Sequence, residues 1–138
     1  MKLFLQVFIL LTLSFGVASA DEYRDVTTIS LKKDEQKKIL VKYGDIAKLF
    51  KFRWTLYQNE GLVIHRSYDR VVAQNILYLR AKNRSFRLEL RPRGSDHFSA
   101  AYMLVKFKEF KHETGEAIFE LFLFDKDIEI SVKHLKNG

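Results

Sequence analysis

The chain has 138 residues, a formal net charge of +7 and no cysteine. The lack of cysteine excludes disulfides, catalytic thiols, thiolate metal sites and lipid attachment to a cysteine. The length suits a single domain, which must obtain its stability from a hydrophobic core, and the positive charge favours anionic partners.

Residues 1–20 have the pattern of a secretory signal peptide. A lysine precedes an apolar run over residues 3–17, and Ala18-Ser19-Ala20 supplies the small residues that cleavage requires. A membrane anchor, the alternative interpretation, is disfavoured because the run is short for a bilayer span. We therefore predict that residues 21–138 are exported as one domain without a transmembrane segment. Because this small domain lacks disulfides, the periplasm of a bacterial envelope is the expected location, and secretion is the alternative.

The exported domain begins with two short stretches of alternating polarity. Residues 23–31 and 39–43 alternate apolar or β-branched side chains with polar ones, and a charged break separates them. This pattern predicts two strands. A strand rich in Thr and Ser, followed by a charged turn, resembles the start of many exported immunoglobulin-like domains, which implies a β-sandwich.

Residues 48–57 show the clearest alternation in the chain. One face of this predicted strand carries the large apolar side chains Phe50, Phe52, Trp54 and Leu56. Asn59-Glu60-Gly61 indicates a hairpin turn into a further strand over residues 62–68. Neither a three- nor a four-residue loop satisfies every cross-strand pair, so the register of this hairpin stays open.

A second hairpin is predicted from residues 71–81 and 85–91, with Lys82-Asn83 as its turn. This register places Leu79 opposite Phe86 on the buried face. The other face of the hairpin is then polar and exposed.

Basic residues concentrate on and beside this hairpin, and we call them the arginine cluster. Its six members are Arg80, Lys82, Arg84, Arg87, Arg91 and Arg93. On the predicted register, some of these side chains share the outer face with Tyr78, which makes the cluster a candidate binding site for a polyanion or a partner. The alternative is a solvated face whose charges protect a sheet edge from aggregation.

The stretch from Met103 to His134 predicts three antiparallel strands that organise the domain. A loop at Glu113-Thr114-Gly115 sets Phe107 opposite Leu121, and a turn after Phe124 pairs the third strand with the second. The core residues predicted from this meander are Phe107, Phe119, Leu121, Ile130 and Val132.

The middle strand of this meander has apolar side chains on both faces, as is typical of a strand that is covered twice. The outer face of the meander comprises Leu104, Phe110, Ile118, Phe122 and Phe124. A second sheet packed on this face would make it part of the core. If the face is open, it is a surface for a partner or ligand.

About nine short strands joined by tight turns predict an all-β fold. The two alternatives are a single antiparallel β-sandwich of immunoglobulin-like type and a small barrel. No motif supports catalysis, since the acids and serines are scattered without paired carboxylates or a nucleophile elbow. The histidines are too far apart in sequence to indicate a metal site, and no cofactor is expected; they are His65, His97, His112 and His134.

We therefore expect a non-catalytic binding or interaction module whose partner is a protein or an anionic component of the envelope. Export disfavours nucleic acid as the partner, although basic and aromatic side chains are compatible with it. Two alternatives stay open. One is a small-ligand carrier whose barrel encloses a cavity lined by Phe50, Phe52 and Trp54, and the other is an enzyme with a dispersed active site. The oligomeric state is not predicted.

Overall fold

The computed structural model describes residues 23–90, 101–125 and 130–136. The predicted signal peptide lies outside these ranges, as do Arg91 and Arg93. Over the described residues the chain forms nine strands and no helix: β1 Asp25–Lys32, β2 Lys37–Tyr43, β3 Ile46–Gln58, β4 Gly61–Tyr68, β5 Val71–Tyr78, β6 Ser85–Glu89, β7 Tyr102–Lys111, β8 Glu116–Phe124 and β9 Ser131–His134. Within the same ranges, no helix has the length and apolar character needed to cross a membrane.

The strands form two antiparallel sheets that pack face to face. One sheet has the order β1-β8-β7-β6 and the other has the order β5-β4-β3-β2-β9. This confirms the predicted sandwich, and the sheets are not closed into a barrel. Because β1 and β2 lie in different sheets, the likeness to immunoglobulin domains extends to the layered architecture and not to the strand order.

The core lies between the inner faces of the two sheets. Phe50 and Phe52 from β3 are fully buried, as are Phe107 and Phe119 from the opposite sheet. The rings of Phe52 and Phe119 meet edge to face across the core, with centroids 5.4 Å apart. The core predicted from the meander is confirmed, with Val132 packed at its margin. Phe50 and Phe52 are packed against other rings, whereas the alternative of a small-ligand carrier places them on the wall of a cavity.

Two buried hydrogen bonds connect the sheets. Trp54 Nε1 donates to the backbone oxygen of Leu31, and Tyr68 Oη donates to that of Leu90, each over 2.8 Å. Each bond satisfies polar groups that would otherwise be buried without a partner. Burial also raises the pKa of Tyr68 far above its ordinary value, so its hydroxyl keeps the proton that it donates.

A two-residue turn joins β3 and β4, shorter than either loop considered from the sequence. Gln58 pairs with Gly61, and the turn consists of Asn59 and Glu60. Both turn residues have positive φ angles, 53° and 63°, as a type I′ hairpin requires.

A β-bulge at Thr55 explains why no single loop satisfied every pair in this hairpin. Pairing along β3 is regular up to Trp54, skips one residue and resumes at Leu56. The bulge turns Leu56 outward, where 49% of its surface is exposed, so the prediction that Leu56 shares the buried face of Trp54 is wrong. It also directs Tyr57 inward, against the core.

The β7–β8 hairpin contains a second bulge, at Lys108. Phe107 pairs with Phe119 and not with Leu121 as predicted, because the loop has one additional residue and the bulge adds another. The register therefore differs from the prediction by two residues. Since side chains alternate with a period of two, the residues of β7 before the bulge keep their predicted faces.

Three strands have partners that differ from the prediction. β5 pairs with β4 and β6 pairs with β7, so the predicted hairpin of residues 71–81 and 85–91 does not form. β9 pairs with β2, because β1 and β7 already occupy both edges of β8. Leu77 of β5 still faces the core, as do Phe86 and Leu88 of β6, since all three are buried.

Candidate binding face

The outer side of the four-stranded sheet bears a cluster of partly exposed aromatic side chains beside an arginine. We call this surface the aromatic face, and it consists of Tyr23, Arg87, Tyr102, Leu104, Phe122 and Phe124. The cross-strand register creates it, since Tyr102 pairs with Phe124 and Leu104 pairs with both Phe122 and Arg87. Three neighbouring strands thus present these side chains in two adjacent rows.

The rings of the aromatic face contact one another. Tyr102 and Phe124 stack with centroids 5.0 Å apart and an interplanar angle of 24°. Tyr23 lies 5.1 Å from Phe122 and meets Tyr102 edge to face at 6.3 Å. These contacts hold the rings in place while part of each remains exposed.

Arg87 covers one end of the ring cluster. Its guanidinium carbon lies 3.8 Å from the centroid of Tyr102, in cation–π geometry. Its Nε donates a 2.6 Å hydrogen bond to Glu89, and 47% of the Arg87 side chain is exposed. The guanidinium is therefore oriented from two sides and remains accessible.

A cleft of about 320 Å³ opens beside Arg87, where the edges of the two sheets meet. Arg66, Tyr68 and Leu88 line it. The guanidinium of Arg66 lies 4.7 Å from the ring of Phe86, its Nε donates to Asn75 over 2.7 Å, and burial lowers its pKa. The cleft gives the aromatic face an adjoining recess with an apolar wall and with both cationic and acidic side chains, the latter from Asp69 and Glu89.

The apolar outer face predicted for the meander is interrupted by a pair of charged residues and by the bulge in β7. Leu104, Phe122 and Phe124 lie on it as expected, and Ile118 is buried at its far end. Between them, Lys106 lies directly opposite Glu120. Phe110 is on the other side of the sheet, so its placement on the outer face is wrong.

The displaced Phe110 packs at the open end of the sandwich. Beyond the bulge it points toward β3, where its ring stacks on Tyr57 at 4.0 Å and meets Trp54 edge to face at 5.6 Å. The bulges at Thr55 and Lys108 thus bring together two rings that an uninterrupted alternation would separate.

The arginine cluster is distributed over different parts of the molecule. Tyr78 lies at the edge of the five-stranded sheet, and Arg80 beside it forms an ion pair with Glu60 at 3.3 Å. Arg84 donates to the backbone oxygens of Phe107 and Lys108 and thereby supports the bulge in β7. Lys82 is exposed on the connection between the sheets. Arg87 is the one described member on the aromatic face.

The described histidines are far apart. His65 is 3.1 Å from the hydroxyl of Thr55, His112 contacts the ring of Phe110, and His134 lies on β9. His97 lies outside the described residues. Within the described ranges no group of three or more His, Asp or Glu side chains is arranged to hold a metal ion.

Sequence reasoning missed a second charged surface, on the outer side of the five-stranded sheet. Its cations come from three strands, as Lys38 lies on β2, Lys51 on β3 and Lys133 on β9. No local run of sequence identifies them as a group. The one signal that points to this surface is the charge of the strands predicted over residues 39–43 and 48–57, which contain basic residues and no acidic residue.

The chain matches no model of a known protein family, no curated protein and no solved structure in three comparisons. Its function is therefore inferred from the side chains that the two sheets expose.

Proposed function

We propose that the chain is an exported, non-catalytic binding module of the bacterial envelope, and that a partner protein docks on the aromatic face. The observation that supports this proposal is the partly exposed stack of Arg87, Tyr102 and Phe124. Tyr, Phe and Arg are enriched in protein interfaces, and Tyr and Arg are frequent among the few residues that dominate binding energy.

The geometry of the aromatic face favours binding for a second reason. Its rings belong to adjacent strands and are held by mutual contacts, so little side-chain freedom is lost when a partner covers them. A partner with an apolar patch covers the rings, and an acidic or hydrogen-bond-accepting group at its margin reaches the guanidinium of Arg87. The adjoining cleft accommodates one side chain of that partner.

Export is a separate part of the proposal, supported by the charged, apolar and small-residue segments of residues 1–20. N-terminal sequencing of the native protein tests it. We expect Asp21 as the first residue. Recovery of a membrane-embedded chain that starts at Met1 would contradict export with cleavage.

Docking on the aromatic face is tested by placing a photoreactive amino acid at Leu104 and crosslinking in the native envelope. We expect a discrete crosslinked protein, and we expect Arg87→Ala or Phe124→Ala to reduce its yield about tenfold, because dominant contacts contribute more than about 1 kcal/mol each. Ile46→Ala, at the exposed start of β3 and on neither proposed face, is the matched control and should leave the yield unchanged. A crosslink that survives both face variants, or that Ile46→Ala removes equally, would sink this assignment.

A further inference from the structure

The two sheets differ sharply in the charges of their strands. The five strands of one sheet contain eight lysines and arginines and no aspartate or glutamate within their described bounds. The four strands of the other contain five basic and five acidic residues. The net positive charge of the described strands therefore belongs to the five-stranded sheet.

Five of these cations lie on the outer side of that sheet, because the buried side chains of the same strands point the other way. This surface, which we call the basic face, contains Lys38, Lys42, Lys51, Arg53 and Lys133. Among the described residues, the one ion pair formed by any of them joins Arg53 to Asp34, at 3.7 Å. The basic face thus has little internal compensation of its charge.

One pair of these lysines is unfavourable for folding. Lys38 lies directly opposite Lys51 on adjacent strands, and like charges in that position destabilise a sheet. An acid at either position would form a favourable cross-strand pair, as Lys106 and Glu120 do on the other sheet. An external anion that binds both lysines would neutralise this repulsion, so a binding role accounts for a pair that is unfavourable for folding.

The basic face also exposes aliphatic side chains. Of eight large hydrophobic residues that are exposed in the described part of the chain, five lie on this outer side: Leu49, Leu56, Val72, Ile76 and Tyr78. Val72 is 79% exposed. Val72, Ile76 and Tyr78 lie on the edge strand β5, whereas Leu49 and Leu56 share β3 with Lys51 and Arg53. Both kinds of side chain project from the same sheet surface.

We propose that the basic face docks on an anionic lipid bilayer. Lysines and arginines near a membrane attract anionic headgroups, while exposed aliphatic and aromatic side chains enter the boundary between headgroups and acyl chains. A soluble polyanion needs the cations but gains nothing from exposed Leu56, Val72 and Ile76. The combination of both on one sheet surface therefore favours a bilayer over a soluble polyanion.

This inference does not depend on the proposed partner protein. The aromatic face lies on the opposite side of the sandwich and points away from a bilayer that contacts the basic face. Both surfaces can therefore be occupied at once.

The test measures flotation of the exported chain with vesicles of phosphatidylglycerol and phosphatidylcholine, and with phosphatidylcholine alone. All variants carry the same N-terminus, so any contribution of the N-terminus to vesicle binding is the same in each and does not affect the comparison between variants. We expect binding to the anionic vesicles only, and we expect Lys38→Glu to reduce it about tenfold, because the contribution of a basic residue near an anionic surface corresponds to a factor of roughly that size in the binding constant. This variant keeps the fold, since the new carboxylate would lie opposite Lys51.

Lys108→Glu is the matched control, because it changes the net charge equally at an exposed position of the other sheet. It should reduce binding by less than about threefold, as expected for long-range attraction alone. Leu56→Ser should weaken binding to the vesicles and leave binding to heparin, a soluble polyanion, unchanged. Three results would each overturn the proposal: no binding of the parent to anionic vesicles at low salt, equal losses in Lys38→Glu and Lys108→Glu, or vesicle binding that Leu56→Ser does not alter.

Discussion

The two sheets of the sandwich share one core and differ in what they show to solvent. On the four-stranded sheet, Lys106 lies opposite Glu120, and aromatic rings occupy the neighbouring rows. On the five-stranded sheet, Lys38 lies opposite Lys51, and the described strands contain no acid. Core packing constrains the residues of both inner faces and does not constrain those of the outer faces. The difference between the outer faces is therefore the best guide to function.

The largest expected effect concerns the core, where the two sheets are equivalent. Phe52→Ala and Phe119→Ala should each cost about 3–5 kcal/mol of unfolding free energy, because the two rings meet across the core and neither site can collapse easily. Reversible urea denaturation measures this. A loss below about 1 kcal/mol for either variant would show that its sheet does not contribute to a shared core.

The second prediction concerns the hydrogen bonds that join the sheets. Tyr68→Phe should cost about 1–3 kcal/mol, because it leaves the buried oxygen of Leu90 without its donor. Tyr78→Phe removes an equivalent hydroxyl from an exposed ring and should change stability by less than about 0.5 kcal/mol. Equal effects in the same denaturation experiment would contradict the structural role of the Tyr68 bond.

The third prediction compares how one charge reversal on the outer face of each sheet changes the stability of the fold. Lys38→Glu should stabilise the fold by about 0.2–1 kcal/mol, and Lys106→Glu should destabilise it by a similar amount, because the first change creates an opposite-charge pair and the second destroys one. Both differences should shrink in about 1 M salt. Thermal unfolding at low and high salt measures them, and changes of the same sign would refute the contrast between the faces.

The smallest effect is expected at the edge of the five-stranded sheet. Burial, together with the charge of Lys37, lowers the pKa of His134 below 6.5, and its buried Nδ1 has no hydrogen-bond partner among the described residues. The unfolded chain therefore binds a proton more readily than the folded chain, so stability should fall as the pH drops below about 6.5. His134→Gln should weaken this dependence. Denaturation midpoints on either side of that pH, at about 7.5 and about 5.5, provide the measurement. If the variant keeps the same pH dependence of stability, that dependence arises from groups other than His134.

Alternating polarity was sufficient to predict most strands and the side of the strand that is buried. Phe50, Phe52 and Trp54 share the inner face as expected, because side chains alternate regardless of which strand lies alongside. Leu56 and Phe110 were misplaced, since each follows a bulge and one additional residue reverses every face beyond it.

Strand partners were not predictable from local patterns. β9 pairs with β2 because both edges of β8 are already occupied, which depends on β1 from the other end of the chain. For the same reason, the contiguous arginine cluster was divided between the sheets, whereas the dispersed cations Lys38, Lys51 and Lys133 came together. The aromatic face was partly predictable, because Leu104, Phe122 and Phe124 belong to one hairpin.

The central claim is that the five-stranded sheet faces an anionic bilayer while the four-stranded sheet remains available to a partner. The most direct test is the NMR spectrum of ¹⁵N-labelled residues 21–138 bound to anionic bicelles that contain a spin-labelled lipid. We predict that the amide signals of β2, β3 and β9 lose intensity, while those of β7 and β8 keep it. Equal losses in both sheets, or stronger losses in β7 and β8, would contradict this orientation.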